Sequence, residues 1–310
     1  MARAAVTGAS GFVGANLARR LLADGHEVHL LLRPGRAAWR VAGIAPHVSI
    51  HPVDLEDAAA VESAMLAIRP EWVFHLAAHG AYSWQTDPST IVAANLTGTM
   101  HLARAALRAG AGVLVNAGSS SEYGRKDHAP AEDEALEPNS VYAVTKAAAT
   151  QFCRMTARAE GVPMPTLRLY SVYGPWEEPG RLVPDLLRAA MRGAWPPLAD
   201  PAIARDFVFV EDAADAFVRA AATSHADPGA IYNVGSGRQT TLREIVETAR
   251  ALLGVAAEPA WGTMPARAWD TTVWVSDPRK IAAALGWTAA TPLADGLRRT
   301  AAWLAANPGP

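Results

Sequence analysis

Tyr142 and Lys146 are the two residues whose types and spacing most directly suggest chemistry. Four positions apart at the start of a helical segment, their side chains project from one face, one turn apart. A lysine ammonium near a phenol favours the phenolate and lowers the pKa of the tyrosine, which makes Tyr142 a usable general acid or base. Such pairs are also common on helix surfaces, where they pack without function. The pair therefore needs support from other motifs.

A loop with three glycines spaced three apart follows the first apolar segment of the chain. Glycine allows the sharp turn from strand to helix and the close approach of a pyrophosphate, while the helix N-terminus offers unpaired N–H groups. The alternative is a glycine-rich turn without a ligand, but the strand before and the helix after favour binding. We expect a nicotinamide dinucleotide to contact the residues of this loop, Gly8, Ser10, Gly11, Phe12, Val13 and Gly14.

The residue that follows the second predicted strand bears on which dinucleotide binds. NAD-binding proteins place Asp or Glu there to accept hydrogen bonds from the ribose hydroxyls, but this chain has Arg33. An arginine can pair with the 2′-phosphate of NADP, so NADP(H) is preferred and NAD is possible. In the alternative, Arg33 is a solvated residue of an Arg-Pro turn, and Arg36 is a weaker candidate. Asp54 and Leu55 either meet the adenine or belong to a helix cap.

The elements that position these residues follow an alternating strand and helix pattern. Short β-branched runs alternate with longer amphipathic segments, which predicts a doubly wound parallel α/β sheet of the Rossmann type. The predicted strands are 4–7, 28–32, 48–52, 72–75, 112–116 and 166–170. The predicted helices are 11–23, 58–68, 95–109 and 142–159.

The texture of the chain changes after residue 174, where prolines and glycines become frequent. We therefore expect a dinucleotide-binding domain over residues 1–174 and a smaller, interleaved substrate-binding lobe over 175–310. Strand-like runs at 206–210 and 231–234 suggest that residues 206–236 return to the first domain.

Composition excludes several classes of function. With 50% hydrophobic and 19% charged residues, the chain has the composition of a soluble globular protein. A net charge of −2 without basic runs argues against nucleic acid as a partner. The single cysteine, Cys153, excludes an intramolecular disulfide and a multi-cysteine metal cluster. We therefore expect no metal. We also expect a cytoplasmic protein, because no segment is long and apolar enough to span a bilayer.

Motifs spread over nearly the whole chain resemble those of the extended short-chain dehydrogenase/reductases. They are residues 7–14, 75–78, 118–124, 142–146, 168–175, 205–212, 232–237 and 285–287. The resemblance implies a Rossmann domain with a C-terminal substrate lobe, and a homodimer formed through helices 95–109 and 142–159. It also implies that Ser119 provides the catalytic hydroxyl and acts together with Tyr142 and Lys146. Ser120 is the second candidate for that hydroxyl.

The resemblance also implies further ligand contacts. The implied contacts to the dinucleotide are Leu76, Ala77, Ala78, Asn95, Tyr142, Lys146, Tyr170 and Val172. For Asn95, the alternative is a helix N-cap. The implied contacts to a nucleotide-diphosphate sugar are Ser120, Ser121, Glu122, Arg181, Arg205 and Arg267. Arg205 and Arg267 suit a diphosphate, and their alternative is salt bridging with Asp206 and Asp270.

The residues after Ser119 bear on the reaction. Nucleotide-sugar dehydratases of the family place a Glu two residues after the hydroxyl, whereas this chain has Ser120 and Ser121, and Glu122 comes one residue late. The run resembles that of reductases acting on 4-keto-6-deoxy sugar nucleotides. We therefore expect NADPH-dependent reduction at C4 with Tyr142 as general acid. The alternatives are an NAD(P)-dependent 4-epimerase, a 4,6-dehydratase and a nonenzymatic NADP-binding sensor.

Overall fold

The structure, a computed structural model, describes residues 1–35, 38–265 and 271–308. In chain order the strands are β1 (Arg3–Thr7), β2 (Glu27–Leu32), β3 (Ser49–Pro52), β4 (Trp72–His75), β5 (Val113–Ser119), β6 (Thr166–Leu169), β7 (Ser171–Tyr173), β8 (Ala204–Arg205), β9 (Phe207–Phe209), β10 (Ile231–Val234) and β11 (Thr240–Thr241). The α-helices are α1 (Phe12–Ala23), α2 (Ala58–Ile68), α3 (Pro88–Val92), α4 (Gly98–Arg108), α5 (Val141–Glu160), α6 (Leu182–Met191), α7 (Val210–Ala222), α8 (Leu242–Leu253), α9 (Arg279–Leu285) and α10 (Leu293–Ala306).

The main sheet has seven parallel strands in the order β10-β6-β5-β4-β1-β2-β3. Chain order reverses between β1 and β4, and the carboxyl ends of strands beside such a switch point form the ligand crevice of doubly wound sheets. Strands β1, β4 and β5 bring the glycine loop, residues 76–78 and Ser119 to this edge. The predicted Rossmann α/β fold is confirmed.

Two apolar layers cover the faces of the main sheet. On one face the core is built from residues of α1, α7 and α9, including Leu17, Phe217 and Ile281, together with Trp287. On the other face α2, α4 and α5 contribute Met65, Leu102 and Cys153 among others. Both faces of a parallel sheet must be covered in this way, since its strands are apolar on both sides.

A third core lies in the C-terminal lobe, where α6, α8 and α10 pack together with residues of β7 and β9. The predicted strand 206–210 is found as the shorter β9, which pairs with β7, while β8 lies just before Asp206 and pairs with β11. Asp206 separates them because its buried carboxylate accepts hydrogen bonds from Ser236, Gly237 and Ser276. The chain then returns to the main sheet through α7 and β10.

Candidate active site

The glycine loop connects β1 to α1 in a shape that side chains would disrupt. Gly8 has a φ of +73°, and a Cβ there would lie 2.5 Å from the backbone of residues 76 and 77. At Gly14 a Cβ would lie 2.4 Å from the Gly8 carbonyl oxygen. Gly11 is the N-cap of α1 and provides no side-chain cap, so the N–H groups of the first helical turn remain for a ligand. This cradle fits the pyrophosphate of a dinucleotide.

Other predicted contacts to the dinucleotide lie after β1 and β4, at the same carboxyl edge of the sheet. Ser10, Phe12 and Val13 are half-buried in the glycine loop and the first turn of α1. Leu76 is half-buried against the core, and the backbone N–H of Ala77 donates to the Thr7 hydroxyl at 3.3 Å. Ala78, the next residue, is exposed.

Ser119, Tyr142 and Lys146 lie together at the end of β5. The hydroxyl of Tyr142 lies close enough to Ser119 to be affected by it, and Ser119 is 8% exposed. Ser140 caps α5 by accepting from the Ala143 N–H at 3.1 Å, which begins the helix directly before Tyr142. One turn further, the Lys146 ammonium is buried and donates to the Ala117 carbonyl oxygen. A serine and a tyrosine hydroxyl therefore meet where one substrate oxygen can bind both.

The electrostatics of the catalytic pair differ from the sequence-based expectation. Burial raises the pKa of Tyr142, and the nearby Ser119 hydroxyl partly offsets this. Burial also lowers the pKa of Lys146, against the opposing effect of Glu122. The predicted lowering of the Tyr142 pKa by Lys146 is not found, because the lysine points to the Ala117 carbonyl.

Glu122 lies behind Ser119 rather than on the substrate side. Its carboxylate, which is fully buried, accepts from the Ser119 N–H at 2.9 Å, from the Thr150 hydroxyl at 3.0 Å and from Arg168 Nε at 2.9 Å. The predicted substrate contact at Glu122 is therefore corrected to a support for the serine, because all of these partners belong to the protein interior. Ser121 is half-buried beside it and donates its N–H to the Ser119 hydroxyl.

Asn95 is buried within a π-helical turn over residues 93–97 and is not a helix N-cap. Its side-chain amide exchanges hydrogen bonds with the backbone of His79 and donates to the Thr145 hydroxyl at 3.0 Å. Asn95 thus ties the loop after β4 to the catalytic helix next to Lys146. The dinucleotide contact predicted at Asn95 stays a prediction.

His75, at the end of β4, is a residue whose role the sequence did not specify. Its ring bridges the hydroxyls of Thr7 and Thr99, each at 2.8 Å. Burial, with a smaller effect of Lys146, lowers the pKa of His75 to about 3, so the ring is neutral at physiological pH. The imidazole joins β1, β4 and α4 beneath the dinucleotide crevice.

Arg33 directly follows β2 and is half-buried, with no hydrogen bond to another residue that the structure describes. Arg36 lies outside the described residues. Asp54 accepts from the Glu56 N–H, whereas the cap of α2 is Asp57, so the helix-cap alternative belongs to Asp57. The Leu55 carbonyl contacts His101 at 2.9 Å.

On the substrate side, Trp274 connects two predicted contacts. Its indole N–H donates to the Ser120 hydroxyl at 3.2 Å, and the Arg205 guanidinium lies 5.7 Å from its ring centre. Sequence reasoning missed Trp274, because no motif distinguishes it among ten tryptophans. Arg267 lies outside the described residues.

Two residues after β6 were predicted to contact the dinucleotide. Tyr170 lines a small cleft with Ser120 and Trp274. Its buried hydroxyl has no hydrogen-bond partner within the described part of the chain. Val172 is half-buried and packs against the main core.

The segment between β7 and α6 carries Arg181 to the mouth of the site. The Arg181 guanidinium lies 5.5 Å from the Tyr82 ring centre and 4.0 Å from the Glu177 carboxylate. Arg181 and Tyr82 both act electrostatically on Tyr142, so they lie within electrostatic range of the catalytic hydroxyl. Tyr82 was not found from the sequence, because it lies in no recognisable motif.

Comparison with known proteins agrees with this architecture. A sequence model of the NAD dependent epimerase/dehydratase family matches residues 4–235. The UDP-glucose 4-epimerase of Mycolicibacterium smegmatis is 33% identical over 308 residues, which cover 96% of this chain and 97% of that protein. A dTDP-glucose 4,6-dehydratase of Streptomyces griseus is 30% identical over 312 residues, 96% of this chain and 92% of that protein.

The crystal structure of Thermus thermophilus UDP-glucose 4-epimerase in complex with NAD has a TM-score of 0.85 at 30% identity, covering 98% of this chain and 99% of the other. The chain belongs to the NAD dependent epimerase/dehydratase family, a group of extended short-chain dehydrogenase/reductases, as the resemblance predicted. These relatives are enzymes acting on nucleotide sugars. They favour the epimerase and dehydratase alternatives over the 4-ketoreductase that the sequence predicted.

Among the described residues, no helix has the length and apolarity needed to cross a membrane. The same part of the chain contains no group of three or more His, Cys, Asp or Glu side chains that could hold a metal ion.

Proposed function

We propose that this protein is an NAD-dependent 4-epimerase of a UDP-hexose. The observation that carries the proposal is that Glu122, the carboxylate nearest to Ser119, is buried in an ion pair and does not face the substrate side. Elimination of water across two carbons needs a second acid/base pair beside the serine and tyrosine. Here Ser120 and Ser121 follow the catalytic serine, and Glu122 is held in a buried ion pair with Arg168. Inversion at C4 needs only the serine, the tyrosine and a hydride carrier.

In the proposed mechanism Ser119 binds the C4 oxygen and Tyr142 removes the proton of the C4 hydroxyl. A bound oxidised nicotinamide supplies the hydride acceptor at C4 and a positive charge that favours the tyrosinate. Ser119 would then hold the C4 carbonyl oxygen, and Tyr142 would return the proton to that oxygen after the keto sugar has turned its other face toward the hydride carrier. Lys146 holds the carboxyl end of β5 through Ala117, and its proposed ligand is the nicotinamide ribose.

NAD is the proposed coenzyme, since a redox-neutral reaction regenerates the oxidised form in every cycle. The relative from Thermus thermophilus was solved with NAD. Arg33 keeps NADP(H) as a second candidate, because its guanidinium lies directly after β2 and is not engaged by another described residue.

The expected substrate contacts are Arg205 with the diphosphate and Ser120, Trp274 and Arg181 around the sugar. A guanidinium offers the donor fork that suits a diphosphate. The relative from Mycolicibacterium smegmatis is a UDP-glucose 4-epimerase, which supports a UDP-hexose.

We also propose a homodimer formed through α5. Val144 and Met155 lie on one exposed face of this helix, with exposed fractions of 51% and 59%. The neighbouring α3 adds exposed Val92. Such a stripe favours burial against a second copy. Sedimentation should show a dimer that Met155→Glu converts to a monomer, whereas monomeric wild-type protein would overturn this assembly.

Product analysis tests the reaction. With NAD and UDP-glucose, the wild type should form UDP-galactose, and Tyr142→Phe should be slower by about 10²–10⁴-fold because the proton acceptor is lost. Tyr232→Phe is the matched control, since that buried hydroxyl contacts His225 away from the site. Unchanged turnover by Tyr142→Phe would overturn the assignment.

A further inference from the structure

Arg40, a buried arginine outside every motif described above, connects the two sides of the site. It lies at the start of a short 3₁₀ segment, Trp39–His47, and is 5% exposed. Its guanidinium donates to the Ser10 carbonyl at 3.2 Å, to the Trp176 carbonyl at 2.7 Å and to the Glu178 carboxylate at 2.5 Å. Ser10 belongs to the glycine loop, while the other two partners belong to residues 175–181, which we call the sugar-side segment.

The sugar-side segment is held in a conformation that it would not adopt alone. Trp176 has a φ of +73°, a region that bulky residues occupy only when their surroundings hold them there. Its ring lies 3.9 Å from the Arg19 guanidinium and 4.9 Å from the Trp303 ring. Asn16, on α1, donates to the Pro175 carbonyl at 3.0 Å. The beginning of the segment is therefore fixed to the dinucleotide side of the site.

The other end of the segment contacts Tyr82 and lies within electrostatic range of the catalytic tyrosine. Arg181 lies over Tyr82 and affects Tyr142 electrostatically. A displacement of Trp176 or Glu178 would shift Arg181, because only a few residues separate them. Any change that a dinucleotide imposes on Ser10 would thus be transmitted through Arg40 to the groups that face the sugar.

We propose that Arg40 is a positioning residue that couples dinucleotide binding in the glycine loop to sugar-nucleotide binding under the sugar-side segment. This inference rests on the proposed function, since it assumes that both ligands bind where described. Arg40 touches neither ligand in this scheme, because it is 5% exposed and each of its three guanidinium nitrogens donates a hydrogen bond to the protein. Its effect should therefore appear in the linkage between the two affinities.

Titration calorimetry tests the coupling, with UDP-glucose added in the absence and presence of saturating NAD. In the wild type NAD should tighten UDP-glucose binding by about tenfold. Arg40→Met should reduce this factor to about twofold or less, and Arg40→Lys should restore part of it. Arg20→Met is the matched control, because Arg20 is also an ion-paired arginine of this region but contacts Asp24 and Asp215.

A second variant protects the test against misfolding. The double variant Arg40→Met/Glu178→Gln removes both charges and leaves no unpaired carboxylate, and it should lose the coupling as well. Undiminished coupling in both variants would overturn the inference, as would wild-type protein that binds both ligands independently. Wild-type protein that binds neither ligand would instead overturn the proposed function, and the inference with it.

Discussion

The Arg168 guanidinium and the Glu122 carboxylate form an ion pair at 2.9 Å, with 1% and 0% of their side chains exposed. Glu122 also accepts from the backbone N–H of Ser119, so the pair fixes the catalytic serine from inside the protein. A Cβ at Gly118 would lie 2.8 Å from the same carboxylate, which explains the glycine before the serine. Because of this ion pair, Glu122 supports the position of Ser119 and does not act as an acid or base.

Removing one partner of this pair should destabilise the protein strongly. Glu122→Ala leaves a buried guanidinium unpaired, and we expect a loss of about 3–5 kcal/mol in the free energy of unfolding. Urea denaturation measures this loss. Glu62→Gln breaks the exposed pair with Arg108 and should cost less than about 1 kcal/mol. Equal effects of the two variants would contradict the structural role of Glu122.

Gly14→Ala should impair dinucleotide binding. The new Cβ would lie 2.4 Å from the Gly8 carbonyl oxygen, so the backbone must shift, at a cost of about 1–3 kcal/mol. If this cost reduces the free energy of NAD binding, fluorescence titration should give an NAD affinity lower by about tenfold. Gly43→Ala, where no atom lies within 4 Å of the added Cβ, should leave the affinity unchanged. A normal affinity for Gly14→Ala would disprove the cradle.

Because Glu177 is buried, we expect the free energy of unfolding to depend on pH. Burial raises the pKa of Glu177 to about 8 in the folded protein, so the folded state retains a proton that the unfolded state loses near pH 4.5. Stability relative to Glu177→Gln should therefore fall as pH rises from about 5 to 8, by a few kcal/mol, and then level off. Urea denaturation across this range measures the difference between the two proteins. A difference that stays constant with pH would show that Glu177 does not titrate this way.

Arg33→Asp should change the choice of coenzyme. A carboxylate after β2 repels a 2′-phosphate and accepts hydrogen bonds from ribose hydroxyls, so affinity for NADP should fall by at least about tenfold while NAD binding is kept. Calorimetry gives the dissociation constants for NADP and NAD. The NAD value is the control, because general damage to the site would weaken the binding of both coenzymes. An unchanged ratio would mean that Arg33 does not face the ribose.

The sequence predicted the architecture well because the signals were local. The glycine loop, the strand patterns and the Tyr142–Lys146 spacing each depend on residues close together in the chain. The strand predicted over 206–210 begins one residue later, because the Asp206 carboxylate is held by Ser236 and Ser276, which lie far along the chain.

The site residues that the sequence missed are also fixed by distant contacts. Trp274 reaches Ser120 across 154 positions, and Arg40 reaches Trp176 across 136. Glu122 illustrates the same limit, since its role depends on Arg168, on a different strand. Residue type and spacing gave the chemistry of these groups, but only packing decides whether a carboxylate faces substrate or the interior.

The central claim is that hydride leaves C4 of the sugar and returns to C4. UDP-glucose carrying deuterium at C4, incubated with the protein and NAD, tests it through the position of the label in the product. We predict UDP-galactose with deuterium retained at C4 and no net consumption of coenzyme. A 4-keto-6-deoxy product with the label at C6, or a product formed only with stoichiometric NADPH, would contradict the account.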